Sequence, residues 1–148
     1  GEVNISNEIT KGQKEKLILA LDKYGITIVD DFKTALVERI KQAIDEMLTD
    51  DNAKNLKVST YLSAKLNYTY SHLSNIFSES TYSSIENYVI LRKVDFVKDL
   101  LNGSNLTLTE IAFRLNYSSV AHLSGQFKKM TGLTPSTFQR IMKRKNNL

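Results

Sequence analysis

The chain has 148 residues, 41% of them hydrophobic, a formal net charge of +4 and no cysteine. That length fits one ordinary domain with enough apolar residues for a core, and the lack of cysteine excludes a disulfide framework, a thiol nucleophile and any thiolate metal site. No apolar run reaches the roughly eighteen residues a membrane span needs, so no membrane partner is expected and a cytoplasmic location is compatible with the composition.

Charge is unevenly placed. Residues 1–55 hold 8 Lys+Arg against 11 Asp+Glu, whereas residues 56–148 hold 12 against 5. A basic surface on the second part is the footprint expected of a module that neutralises phosphates.

In chain order, residues 2–5 and 27–29 alternate polar and apolar and are predicted as short strands. Between them Leu17, Ile18, Leu21 and Tyr24 share one helical face that ends at Gly25, giving a β-α-β pattern. Two strands with one helix cannot bury a sheet face or satisfy both edges. The chain is therefore expected to be a fragment whose front piece packs loosely or pairs with its counterpart in a second molecule as a homodimer. From Asp31 the pattern turns helical, with Leu36, Val37, Ile40, Ile44, Met47 and Leu48 as an apolar stripe ended by Asp50-Asp51-Asn52. Ser59 or Thr60 is expected to cap a short helix leading to Leu66. A second helix follows from Tyr70 or Ser71 to about Ser80, burying Leu73, Ile76 and Phe77. Ser83 or Ser84 then caps a long helix, residues 85–101. Tyr88, Leu91, Val94, Val97, Leu100 and Leu101 form its buried stripe, and Arg92, Lys93 and Lys98 are placed outward. At about 1.5 Å per residue it makes a rod of about 25 Å.

Residues 106–140 read as a short helix, a tight turn and another helix. Thr107 or Thr109 can cap the first, with Glu110 in its favourable first turn, and Ile111 and Leu115 lie at helical spacing. Asn116 marks the turn, since Asn tolerates a left-handed backbone. Ser118 or Ser119 caps the following helix, which buries Leu123, Phe127 and one of Val120 or Ala121. This is a helix-turn-helix pattern. It has an earlier copy: Leu62, Ser63, Leu66, Asn67 and Tyr68 match Ile111, Ala112, Leu115, Asn116 and Tyr117. After a slip of one residue His72, Leu73, Ser74 and Phe77 match His122, Leu123, Ser124 and Phe127, and Thr81 and Tyr88 match Thr131 and Phe138. Such self-similarity identifies one structural unit used twice.

These residues, above all the run Gln126-Phe-Lys-Lys-Met-Thr-Gly-Leu-Thr-Pro-Ser-Thr-Phe138 and the preceding Leu-Thr-Glu-Ile-Ala-Phe-Arg-Leu-Asn-Tyr117, resemble the C-terminal DNA-binding region of the AraC family of transcription regulators. The resemblance covers residues 33–140. It implies a mainly α fold, with two helix-turn-helix subdomains joined by a long helix after the short β-α-β remnant. The first motif is expected at about residues 57–81, the linker helix at 84–102, the second motif at 107–131 and a last helix at 135–145. The whole AraC-type region would run over 32–148. Residues 1–31 resemble, without distinctive residues, the second half of a ferredoxin-like domain of the heavy-metal-associated type, whose metal-binding Cys-x-x-Cys belongs to the other half.

The resemblance implies double-stranded DNA as partner, with two recognition helices in successive major-groove segments, and admits RNA polymerase as a second partner of a bacterial-type regulator. On the first recognition helix Ser71, His72 and Asn75 are the base-reading candidates; on the second they are Val120, Ala121, His122 and Gly125, the methyl groups being suited to thymine methyls. Arg114, Ser118, Lys128, Lys129, Ser136 and Arg140 are the phosphate candidates, Ser136 lying where Pro135 opens a helix whose free N–H groups suit an anion. Two departures stand out. The first recognition helix has no Lys or Arg, where many family members are basic, and has Glu79 where the second copy has Lys129. Gly125 stands where the family often has a long polar side chain. A protein-interaction module with this fold and lapsed base-reading faces is the alternative, consistent with the small residues Ser71, Ala121 and Gly125. No enzyme, cofactor or metal is expected: His72 and His122 are the only histidines, and no nucleophile-base spacing, phosphate loop or carboxylate pair occurs.

Overall fold

A computed structural model describes residues 26–146 apart from position 54, with side chains from residue 31 onward. The described residues form α1 (Ile26–Thr49), α2 (Val58–Leu66), α3 (Tyr70–Thr81), α4 (Ile85–Gly103), α5 (Leu108–Arg114), α6 (Val120–Thr131) and α7 (Pro135–Asn146), with no strand among them. The chain divides into two compact units, Gly1–Glu38 and Arg39–Leu148, and α2 to α7 all belong to the second. The expected strand at residues 2–5 and helix at 13–24 lie outside the described residues.

The expected strand at 27–29 is instead the first turn of α1. Three β-branched residues are too few for a period of two to be told from a helical one. They run without a breaker into the stripe Leu36, Val37, Ile40, Ala43, Ile44, Met47 and Leu48, all buried. Thr49 closes α1 by donating its hydroxyl to the Asp45 carbonyl at 2.9 Å, and the Asp50 carboxylate accepts the Asn52 N–H at 2.9 Å to start the turn.

The two helix-turn-helix copies are alike down to their caps. Thr69 and Ser119 cap α3 and α6 by accepting the N–H groups of His72 and His122 at 3.2 and 3.0 Å. Both helices end in the left-handed conformation, at Tyr82 (φ 58°) and Gly132 (φ 80°). Thr81 and Thr131 donate their hydroxyls to the carbonyls of Phe77 and Phe127 at 2.7 and 2.8 Å. Edge-to-face pairs Phe77–Tyr88 and Phe127–Phe138, each with centroids 5.5 Å apart, dock the next helix in both copies. In the turns, Asn67 and Asn116 both take φ 60°, which an Asn can adopt at less strain than most residues. The caps differ in one place from expectation. Lys57, not Ser59 or Thr60, occupies the cap of α2 and makes no side-chain bond there. In α5 Thr107 and Glu110 form a full capping box, at 3.2 Å and 2.9 Å, which satisfies two orphan donors and holds the exposed Glu110 carboxyl below its usual range.

Helix α4 ties the copies together. Its first half packs on α3 through Tyr88; its second half puts Val94, Val97 and Leu101 into one core with Ile111, Ala112, Leu115, Tyr117, Leu123 and Phe127. Three side chains of α4 depart from the expected pattern. Leu91 is 44% exposed rather than buried. Arg92 and Lys93 do not simply face water. The Arg92 guanidinium forks onto Asp45 of α1 at 2.8 and 3.3 Å and reaches Asp95 at 3.0 Å. The Lys93 ammonium lies 4.9 Å from the centroid of the Tyr117 ring, and burial lowers its pKa.

Tyr117 is 7% exposed and its hydroxyl is buried without a partner. Burial pushes its pKa up from 10.0 to about 12. An unmade hydrogen bond on a buried hydroxyl costs about 1–3 kcal/mol, so Tyr117→Phe is expected to stabilise the fold by about 1 kcal/mol in urea titrations at pH 7. Because the folded-state pKa is raised, the folded state holds this proton more tightly. The corresponding stability is complete below pH 10 and is lost as pH rises from 10 toward 12. The Phe variant should therefore show the shallower alkaline decline, and equal slopes for the two proteins would contradict a buried, protonated hydroxyl.

Candidate nucleic-acid interface

Helices α3 and α6 each bury one narrow stripe, Leu73, Ile76 and Phe77 in the first and Leu123 and Phe127 in the second. The opposite faces are open: Ser71, His72 and Asn75 on α3, and Ala121, His122 and Gly125 on α6, are all exposed. Val120 is half-buried against the core of the second motif, so Ala121 supplies the more open methyl. A Cβ built at Gly125 meets nothing within 4 Å. The fold itself does not require glycine there.

The two histidines sit at equivalent positions, each on the tyrosine that follows the left-handed Asn, but they are held differently. His72 stacks on Tyr68 with centroids 5.2 Å apart and planes at 23°; His122 meets Tyr117 edge-on, at 5.2 Å and 85°. The cause is the one-residue slip. Ser118, the extra residue of the second turn, places its N–H 3.4 Å and its hydroxyl 3.1 Å from His122 Nδ1. An N–H can only donate, so Nδ1 is the acceptor and the ring hydrogen lies on Nε2. The donor of the exposed His122 ring is then its Nε2–H, and Ser118, a phosphate candidate from sequence, also orients that ring. Sequence reasoning showed the slip but not this contact, which needs the turn geometry.

The cationic phosphate candidates lie on α5, α6 and α7. Arg114, Lys128, Lys129 and Arg140 are exposed, as is Ser136. At the start of α7 the Thr134 hydroxyl accepts the Thr137 N–H at 3.2 Å, and Pro135 is buried. Ser136, Gln139, Arg140, Lys143 and Arg144 line one open depression. Lys143 and Arg144 thus belong to a helical row with Arg140 on α7. Their spacing of three and four residues from Arg140 was the signal.

Glycine inside a helix costs about 1 kcal/mol relative to alanine. With open space around the added methyl, Gly125→Ala is expected to raise stability by about 0.5–1 kcal/mol in thermal unfolding. A loss of stability would mean that the α6 backbone is more crowded than the geometry indicates.

A family model described as a helix-turn-helix domain matches residues 62–141. The Msm operon regulatory protein of Streptococcus mutans is 24% identical over 138 residues, which cover 93% of this chain and 49% of that protein. The chain thus spans about half the length of that relative. Among solved structures, the C-terminal domain of AraT, a response regulator from Geobacillus stearothermophilus, is similar with a TM-score of 0.62 at 24% identity, covering 72% of this chain and 84% of that one. The DNA-binding domain of AdpA, a global transcriptional factor solved in complex with a target DNA, is similar with a TM-score of 0.61 at 21% identity, covering 74% of this chain and 94% of that one. At these identities the structural likeness concerns the fold. With the family match over residues 62–141 and the duplicated motif on one linking helix, the chain belongs to the AraC-type helix-turn-helix family of transcription regulators.

Proposed function

We propose that this chain is the part of a regulator that binds double-stranded DNA in a sequence-specific way, with α3 and α6 entering successive segments of the major groove. The observation that carries this reading is the pair of equivalent, capped helices, each buried on one side and open on the other, joined through one helix. In this reading Asn75 can pair bidentately with adenine, the His122 Nε2–H donates to a purine acceptor, and Ala121 touches a thymine methyl. Arg114, Lys128, Lys129, Arg140 and the start of α7 at Ser136 hold phosphates and fix the register. The role is one of binding, not catalysis. RNA polymerase as a second partner, pairing with another copy through the front segment, and action in a bacterial cytoplasm all belong to this proposal.

Selection of duplexes from a random pool by the intact chain is expected to enrich one bipartite motif, its halves about one helical turn apart. Asn75→Ala should relax preference in one half and His122→Ala in the other, each by about 1–3 kcal/mol of discrimination. If the folded chain enriches no motif, base reading by these faces is wrong and an interaction module is left.

A further inference from the structure

The internal repeat supplies its own control, because every phosphate candidate of the second motif except the inserted Ser118 has a structural counterpart in the first. Arg114 corresponds to Lys65, Lys128 to Ser78, Lys129 to Glu79, Ser136 to Glu86 and Arg140 to Ile90. These correspondences follow from the matching helices Tyr70–Thr81 and Val120–Thr131, from the matching starts of α4 and α7, and from the matching turns at Asn67 and Asn116. The five positions sum formally to −1 in the first motif and +4 in the second.

The local chemistry widens the gap. Lys65, the one cation of the first set, has its ammonium 3.1 Å from the Glu46 carboxylate of α1. Glu86 stands at the helix start where the second motif has Ser136, and it accepts a hydrogen bond from the Tyr70 hydroxyl. Burial first, and then that bond, raise the Tyr70 pKa, so Tyr70 stays a neutral donor. The helix start that could receive a phosphate thus already has a carboxylate beside it, and like charges repel there. In the second motif Lys128 and Lys129 have no ion pair among the described residues, Arg114 has a through-space attraction to the exposed Glu110 one turn away but no direct ion pair there, and Arg140 has a long contact to the Thr137 hydroxyl at 3.5 Å.

Resting on the DNA-binding reading above, we infer that phosphate anchoring is confined to the second motif: α5, α6 and α7 carry the salt-dependent affinity, and α3 reads its groove segment without anchoring of its own. Association then starts at the second motif. The first engages only where its bases and groove shape suit it, so the two halves of a site differ in kind: one sets how tightly the chain holds DNA, the other which of many held sequences is kept.

The test measures duplex affinity of the intact chain by fluorescence anisotropy between about 50 and 200 mM NaCl on a 30-base-pair probe. Each phosphate contact contributes about 0.9 to the slope of log affinity against log salt. The triple variant K128A/K129A/R140A is expected to lose about 2.7 of that slope, and R114A about 0.9. K65A, at the equivalent position, should leave the slope unchanged, whereas S78K/E79K should raise both slope and affinity by installing the missing pair. Circular dichroism confirms that each variant is folded. Hydroxyl-radical footprinting on a selected duplex at 150 mM NaCl should show strong protection over one half only. A slope retained by the triple variant, a loss in K65A equal to that in R114A, or equal protection of both halves overturns the inference while leaving DNA binding intact. No duplex binding by the folded chain at about 50 mM NaCl overturns both readings.

Discussion

One helix has to satisfy two cores. The first half of α4 supplies Tyr88, whose ring meets Phe77 edge-on, and the second half supplies Val94, Val97 and Leu101, buried with α5 and α6. The exposed faces of α3 and α6 inherit their spacing from this shared rod, since each recognition helix is fixed to α4 by its own apolar stripe. Close-packed interiors of this kind adjust little. Val97, fully buried in α4, is a place where a change of one methyl would be felt by the second motif.

The repeat shows which parts of the unit the fold requires and which are open to change. Kept are the caps, the Thr hydroxyls bonding back to the Phe carbonyls, the aromatic pairs and the left-handed Asn. These satisfy the backbone groups that every helix end leaves unpaired. Changed are the surface charges and one turn residue. The Ser118 insertion turns His122 edge-on to Tyr117 and bonds its Nδ1, so two histidines at equivalent positions present different faces. Tyr82, 93% exposed, sits in the backbone conformation that Gly132 adopts in the other copy without a Cβ penalty.

Much of this was legible in the sequence because it depends on local chemistry. The period of Leu73, Ile76 and Phe77, the Thr107–Glu110 spacing and the Asn in each turn all act within a few residues, and repetition made them readable twice. What escaped the sequence depends on distant partners or on runs too short to carry a period. Residues 27–29 are β-branched yet continue α1. Ser59 and Thr60 resemble caps but lie inside α2, because the cap falls at Lys57, two residues before Ser59. Leu91 fits the stripe of α4 but lies in its more exposed part. Arg92 looks like a surface cation, and only the fold brings Asp45 of α1 to its guanidinium. The candidate interface was legible as a set of outward positions; how His122 is held was not.

The central claim is that α4 holds α3 and α6 at a fixed separation matched to one turn of duplex. The chain has no cysteine, so Ser71→Cys and Ala121→Cys, at equivalent exposed positions, can carry a pair of spin labels without further changes. Pulsed dipolar spectroscopy should give one narrow distance distribution near ~34 Å, unchanged when duplex is added. A broad distribution, or a separation far short of one turn, would contradict a rigid rod that presents two probes to one groove.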